Sequence, residues 1–199
     1  MITSFVYSAE AVQKAEGGAF INRTGEYVCV VSQASTYETQ GGAQMIRLVL
    51  KDQTTAGVCQ TDICVIAKDG KPTFGMGIFN ALQRIAGVEK AEAVSGKVYS
   101  IFDPKKPEDG FRIPSVEKKT VGVVLQRENY FKTDGKAAHR MNVVCFFDPT
   151  TRKTASEIER GSEAHRVDSL KTLKDKDRSA ISQTKTTEVP AGYDETDPF

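Results

Sequence analysis

A mainly β fold with one helix and a long β-hairpin is what these 199 residues predict. Three observations carry that expectation. Three strand-like runs follow one another between residues 26 and 67, the middle one with period-two order. One strongly amphipathic helical segment comes after them. Two long strand-like runs then meet at Asp134-Gly135, a dipeptide that suits a tight hairpin turn because it tolerates positive φ.

Taken in order, residues 26–35 (Glu-Tyr-Val-Cys-Val-Val-Ser-Gln-Ala-Ser) form the first strand, and Gly41-Gly42 marks the following turn. Residues 43–51 alternate, with Ile46, Leu48 and Leu50 on one face and Met45, Arg47 and Val49 on the other. Residues 57–67 make a third strand, closed by Asp69-Gly70. The helix covers about 76–87. Ile78, Leu82 and Ile85 fall on one stripe with Phe79 and Ala86 alongside, and Gly87 stops it. Residues 96–102 are a further strand. Residues 103–118, with Pro104, Pro107, Gly110 and Pro114, read as a loop.

Residues 119–131 and 138–147 are the arms of the hairpin. In the second arm Arg140 and Asn142 alternate with Met141, Val143, Cys145 and Phe147, which predicts a polar outer and an apolar inner face. Thr154-Ala-Ser-Glu157 is a capping box that starts a short helix ending near Gly161. Beyond about 168 apolar residues thin out, so the chain divides into a domain, 1–167, and a flexible linker with an acidic tail, 168–199. Three strands, a helix and later strands suit a five-stranded OB-like barrel with added elements. An α+β sandwich is the competing arrangement.

The formal net charge is +1, so no global field advertises nucleic acid, although a basic face balanced by an acidic tail sums to the same value. No run of 18 apolar residues occurs, and residues 1–20 are polar and broken by Gly17-Gly18; a soluble cytoplasmic protein without a membrane segment is expected. Cys29, Cys59, Cys64 and Cys145 form no C-x-x-C pair, and His139 and His165 are the two histidines. Metal-ligand spacing is therefore absent, and no cofactor is expected. No G-x-S-x-G or Walker-type loop appears, and Gly75-Met76-Gly77 lacks a third glycine. Asp62, Asp103 and Asp148 are scattered rather than clustered as a nuclease would need, so the chain is not expected to be an enzyme.

Aromatic faces that stack bases and cations that track phosphates are what a single strand requires. The hairpin offers Arg127, Tyr130, Phe131, Lys132, Lys136 and Arg140, with His139 beside them. A second group is Lys97, Tyr99, Phe102 and Lys105, diluted by Glu108 and Asp109. Arg47, set mid-strand among apolar neighbours, and Tyr37, in the first connection, complete the candidates. The N-terminal segment with Phe5, Tyr7 and Phe20 reads as an added strand or arm.

The tip Asp194-Glu195-Thr196-Asp197-Pro198-Phe199 sets acidic residues beside a proline and an aromatic residue. Such a segment suits an apolar pocket with a basic rim on another protein, and Asp194, Glu195, Asp197, Pro198 and Phe199 are the expected partner-binding residues. The tip resembles the C-terminal peptide of single-stranded DNA-binding proteins of bacteria and their phages, with Thr196 where that family has Ile. The core resembles phage-encoded members through Gly25-Glu-Tyr-Val, Lys71-Pro-Thr-Phe-Gly75 and Phe146-Phe-Asp-Pro149. It departs from them in having no tryptophan and no Gly/Gln-rich linker.

The resemblance implies an OB fold that binds single-stranded DNA with little sequence preference in replication and recombination, and a tail that recruits replication and recombination proteins. It leaves homo-oligomerisation open. In such a protein Tyr130 or Phe131, with Tyr99, would stack bases, and the acidic tip would compete with DNA for the basic groove. Two other readings compete: a phage strand-annealing or recombination mediator, and a protein-docking module with no nucleic-acid role.

Overall fold

A computed structural model describes residues 20–178. The tip at 194–199, Phe5 and Tyr7 lie outside the described residues. Strands β1 (Gly25–Glu38), β2 (Gln44–Asp52) and β3 (Val58–Ile66) come first, followed by helix α1 (Phe74–Ala86). Strands β4 (Val94–Ser100), β5 (Asp103–Arg112), β6 (Thr120–Phe131) and β7 (Ala137–Phe147) follow, then helices α2 (Ala155–Arg160) and α3 (Arg166–Ser169) and a two-residue strand β8 (Lys176–Asp177). The fold is mainly β, and every strand pairing among the described residues is antiparallel except that of β8 with β6.

The long strand β1 organises the sheet. One edge carries β2, which in turn carries β3. The other edge is shared: Gly25–Val30 pair with β6, while Ser35 and Thr36 pair with β5. β6 continues into β7. β7 lies beside β3 with no hydrogen-bonded ladder between them, and α1 packs against both strands. Among the described residues the sheet is therefore not the closed five-stranded barrel expected; it has eight strands and stays open between β3 and β7.

Helix α1 forms because Thr73 caps it, its hydroxyl accepting from the Gly75 amide at 3.1 Å, and because Gly87 closes it at φ 66°. Phe79, Leu82 and Ala86 are buried against the sheet. It starts two residues earlier than periodicity predicts. Gly75 explains the close approach: a Cβ there would stand 2.0 Å from the Cys64 carbonyl oxygen. The incomplete G-x-G thus has a packing role at its first glycine. The core joins Val31, Ala34, Leu48, Leu50, Leu82, Val123, Leu125 and Phe146, all buried. Each fully buried Leu side chain contributes roughly 2 kcal/mol through the hydrophobic effect.

Three local expectations are corrected. Residues 103–112 are strand β5, not loop. Ladder partners are Asp103 and Glu108–Arg112, and Pro104 and Pro107 fall in the stretch between, where the register shifts and no amide donor is required. In β7 a bulge at Val144 interrupts the alternation. Met141, Val143 and Phe146 join the main core, whereas Phe147 enters a second cluster with Val124 and Val167. Residues 168–178, expected as linker, are docked on that second cluster: Leu170 and Leu173 pack there, and β8 pairs with Glu128 and Asn129.

Candidate nucleic-acid interface

Strand alternation puts Gln33, Ser35 and Tyr37 of β1 on the face opposite the core, level with Val49, Arg47 and Met45 of β2. Gln60 and Asp62 of β3 continue that face. The β4–β5 hairpin is fastened over it by the β1–β5 ladder, by the Ile101 amide donating to Gln60 Oε1 at 3.4 Å, and by Gln33. Buried Gln33 donates Nε2 to the Tyr99 carbonyl at 3.1 Å and accepts the Tyr99 amide at 2.9 Å. A cavity of about 410 Å³ results, lined by Tyr37, Arg47, Tyr99 and Lys106 together with Asp103, Glu108 and Asp109.

Arg47 is fixed in this cavity. Its Nε and Nη2 donate to the two carboxylate oxygens of Asp62 at 2.8 and 3.1 Å, and its guanidinium lies 4.7 Å from the centre of the Tyr37 ring. The hydrogen bond to Asp62 raises the Arg47 pKa further. Burial, then the Asp62 charge, raises that of Tyr37. Two of the predicted site residues thus form a rigid cation–ring pair.

The β4–β5 turn carries Phe102 to a position over Phe20, their ring centres 6.1 Å apart and their planes 25° from parallel. Both rings are solvent-exposed, Phe102 at 75% and Phe20 at 45%. Below them lies a cleft of about 190 Å³ whose lining includes Gln60, Ile101, His139, Arg140 and Met141. Phe20 is held there because the Ile21 amide donates to the Val58 carbonyl at 2.8 Å. Sequence reasoning gave Phe20 no role at the site. A lone Phe in a polar leader carries no period, and only its bridge to β3 reveals the placement.

The β6–β7 hairpin ends in the turn at Asp134-Gly135, where Gly135 has φ 79° and Asp134 accepts the Lys136 amide at 3.0 Å. Phe131 is 61% exposed there. Tyr130, Phe131, Lys132 and Lys136 cluster at this end and line neither cavity. Arg127 has a structural role: it donates to Asn129 at 2.8 Å and to the Asn22 carbonyl at 3.2 Å. Arg140 joins the two groups, since it lines the cleft with Phe102 and pairs with Glu128 at 2.7 Å.

Glu128 is a buried carboxylate ringed by cations. Its Oε2 accepts from Arg140 at 2.7 Å and from Asn142 at 2.8 Å. Its Oε1 has no hydrogen-bond partner among the described residues and faces Lys176 and Arg178 at 3.6 and 3.7 Å. Burial would raise its pKa, but the Arg140 and Asn142 hydrogen bonds and the charges of Arg140 and Lys176 hold it down to about 2.

The β4–β5 cations are largely compensated. Lys97 pairs with Asp109 at 2.8 Å and Lys106 with Asp103 at 3.6 Å, while exposed Lys105 makes no ion pair among the described residues. Among the described residues no cluster of His, Cys, Asp and Glu could hold a metal, and no helix is long and apolar enough to cross a membrane. No protein-family model matches the chain, and no curated protein matches it in sequence.

Proposed function

We propose that this chain binds single-stranded DNA with little sequence preference. The observation that carries the reading is the exposed, nearly parallel Phe20–Phe102 pair above a cleft lined by His139 and Arg140. Stacked rings beside a guanidinium match the two needs of a single strand, a π-face for bases and a charge for phosphate. The Tyr37–Arg47–Tyr99 cavity lies across the β4–β5 turn and extends the path. Tyr130, Phe131, Lys132 and Lys136 at the hairpin end would take the strand beyond Arg140.

The strand order β3-β2-β1-β6-β7, with α1 inserted after β3 and packed on the seam, supports an OB-type barrel for this domain. Such a barrel binds its strand on the face that β2 and β3 contribute to here. The acidic residues Asp194, Glu195 and Asp197 with Phe199 would recruit replication and recombination proteins. In this role the chain coats single strands in the cytoplasm of a phage-infected cell and performs no catalysis itself.

Titration of a labelled dT oligonucleotide of about 30 nucleotides at two salt concentrations, with a duplex control, tests the reading. Binding to the single strand that weakens as salt rises supports it, because phosphate neutralisation releases counterions. Absence of binding at low salt overturns it in favour of a protein-docking module.

A further inference from the structure

A cavity of about 1000 Å³ lies on another part of the surface, between α1, β7 and the helices α2 and α3. Its apolar lining includes Phe74, Ile78, Ala81, Val144 and Phe146. Phe74 is 83% exposed at its edge. Gly77 leaves the floor open, and even a Cβ there would meet nothing within 4 Å. On the rim stand Arg160, His165 and Arg166, with Glu163 as an opposing rim charge. Glu157 also lines the cavity but is spent internally. It accepts the Thr154 amide and hydroxyl at 2.8 Å each, the His165 amide at 2.8 Å and the Arg166 amide at 2.7 Å.

Among the described residues neither Arg160 nor Arg166 makes an ion pair. The hairpin differs in this respect. Arg140, Lys176 and Arg178 already surround Glu128. An acidic segment arriving at the hairpin would have to compete with a buried carboxylate. One arriving at the α1–α2 groove would meet two arginines that no carboxylate pairs among the described residues, with Glu163 as the one rim charge opposing it.

We infer that this groove takes the chain's own segment 194–199, with Phe199 on the apolar floor and Asp194, Glu195 and Asp197 toward Arg160 and Arg166. The complementarity is of two kinds, apolar and ionic, and both are written in the residues of the segment. Reach is sufficient. The Arg178 amide is bonded to the Asn129 carbonyl on β6. Val124, paired with Cys145 of the groove lining, lies about 17 Å back along that strand. Residues 179–193 intervene before Asp194 and span up to about 50 Å when extended. This inference does not rest on nucleic-acid binding.

The test uses the full chain. A labelled peptide of residues 190–199 is titrated into a variant carrying Asp194→Lys, Glu195→Lys, Asp197→Lys and Phe199→Ala, followed by fluorescence anisotropy at low salt. The peptide should bind this variant. It should bind the unsubstituted chain at least about tenfold more weakly, because a tethered segment holds a local concentration in the millimolar range. Adding Arg160→Glu and Arg166→Glu to the variant should weaken peptide binding by about tenfold or more, with circular dichroism as the folding control. Failure of the peptide to bind, equal binding to the unsubstituted chain, or indifference to the arginine substitutions would overturn the proposal. So would dimerisation of the unsubstituted chain that the tail substitutions abolish, which would assign the groove to a second copy's segment. Arg160→Lys with Arg166→Lys, which keeps the charge and spares the fold, should retain most of the affinity; a loss as large as with Glu would also overturn it.

Discussion

Arg140 reaches across the β6–β7 ladder to place its guanidinium 2.7 Å from the buried carboxylate of Glu128. The same carboxylate faces Lys176 and Arg178 of the C-terminal segment. One anion therefore ties a candidate phosphate contact to the stretch that leads toward the acidic tail. Replacing it with Gln removes the charge while keeping the shape. Glu128→Gln should lower the unfolding free energy by about 1–3 kcal/mol. It should expose the amides of residues 176–178 to hydrogen exchange. Under the proposed function it should also tighten oligonucleotide binding, because Arg140 loses its internal counterion. Denaturant unfolding, exchange mass spectrometry and anisotropy report these outcomes separately.

The same carboxylate sets a pH dependence. Glu128 and Glu157 are both held down to about 2, from an ordinary value of 4.5. For Glu157, burial pushes upward and four hydrogen bonds, chiefly from the Thr154, Arg166 and His165 amides, more than reverse it. A carboxylate lowered by folding contributes stability that is present above its unfolded pKa and is lost as pH falls through the folded one. Unfolding free energy should thus be steady above about pH 5 and fall between about 4.5 and 2. Glu128→Gln should show a shallower fall over that window than the parent; identical slopes would remove Glu128 from the account.

Three glycines bear on the packing argument. A Cβ at Gly122 would sit 2.2 Å from the Phe147 ring, and one at Gly75 would sit 2.0 Å from the Cys64 carbonyl. The first obstacle is a packed ring and the second is backbone, so relief is easier at Gly122. Gly75→Ala should cost about 1–3 kcal/mol or more and shift α1 off β3, whereas Gly77→Ala should cost little, its Cβ pointing into open space. Chemical denaturation of the Gly75 and Gly77 variants side by side checks the difference.

How far the chain could be read in advance follows from which residues carry local signals. Helix α1 and the β6–β7 hairpin were legible because Ile78, Leu82 and Ile85 keep a helical period and Asp134-Gly135 names its own turn. β5 was not, since Pro104 and Pro107 read as loop and only the register shift opposite them makes strand possible. The side change at Val144 was invisible for a related reason: a bulge adds one residue without any compositional mark. Glu128, Gln33 and Phe20 act through partners far along the chain. Gln33 and Tyr99 are 66 residues apart, and no single-strand pattern links them. The candidate residues Tyr37, Arg47 and Tyr99 do share a cavity, whereas Arg127 is spent on holding Asn22 and Asn129.

Gln33 offers a direct way to loosen the site without touching it. Its two hydrogen bonds to the Tyr99 backbone fasten β4 over the outer face of β1. Gln33→Leu fills similar space but leaves the Tyr99 amide and carbonyl without that partner. The Tyr99 amide should lose exchange protection, and the global unfolding midpoint should fall by less than in Glu128→Gln, because the main core is untouched. Undiminished protection at Tyr99 would show that the hairpin is held by the β5 ladder to β1 instead.

Phe20 and Phe102 give the sharpest check on the binding face. The chain has no tryptophan, so Phe102→Trp installs a single reporter in the pair. If bases stack there, adding dT oligonucleotide should quench the indole emission in step with the anisotropy change. The 6.1 Å between ring centres is that of an aromatic pair in contact, so a base stacks on an exposed outer ring face or enters between the rings as the turn opens. Phe20→Ala and Phe102→Ala should each weaken binding by about tenfold, within the roughly 1–3 kcal/mol that one base–ring contact contributes. These losses should persist at high salt, unlike that of Arg140→Ala, which should shrink as phosphate contacts are screened. Binding that survives both alanine changes, with the indole emission of the Phe102→Trp variant unquenched, would move the base-stacking face to Tyr130 and Phe131 at the hairpin end.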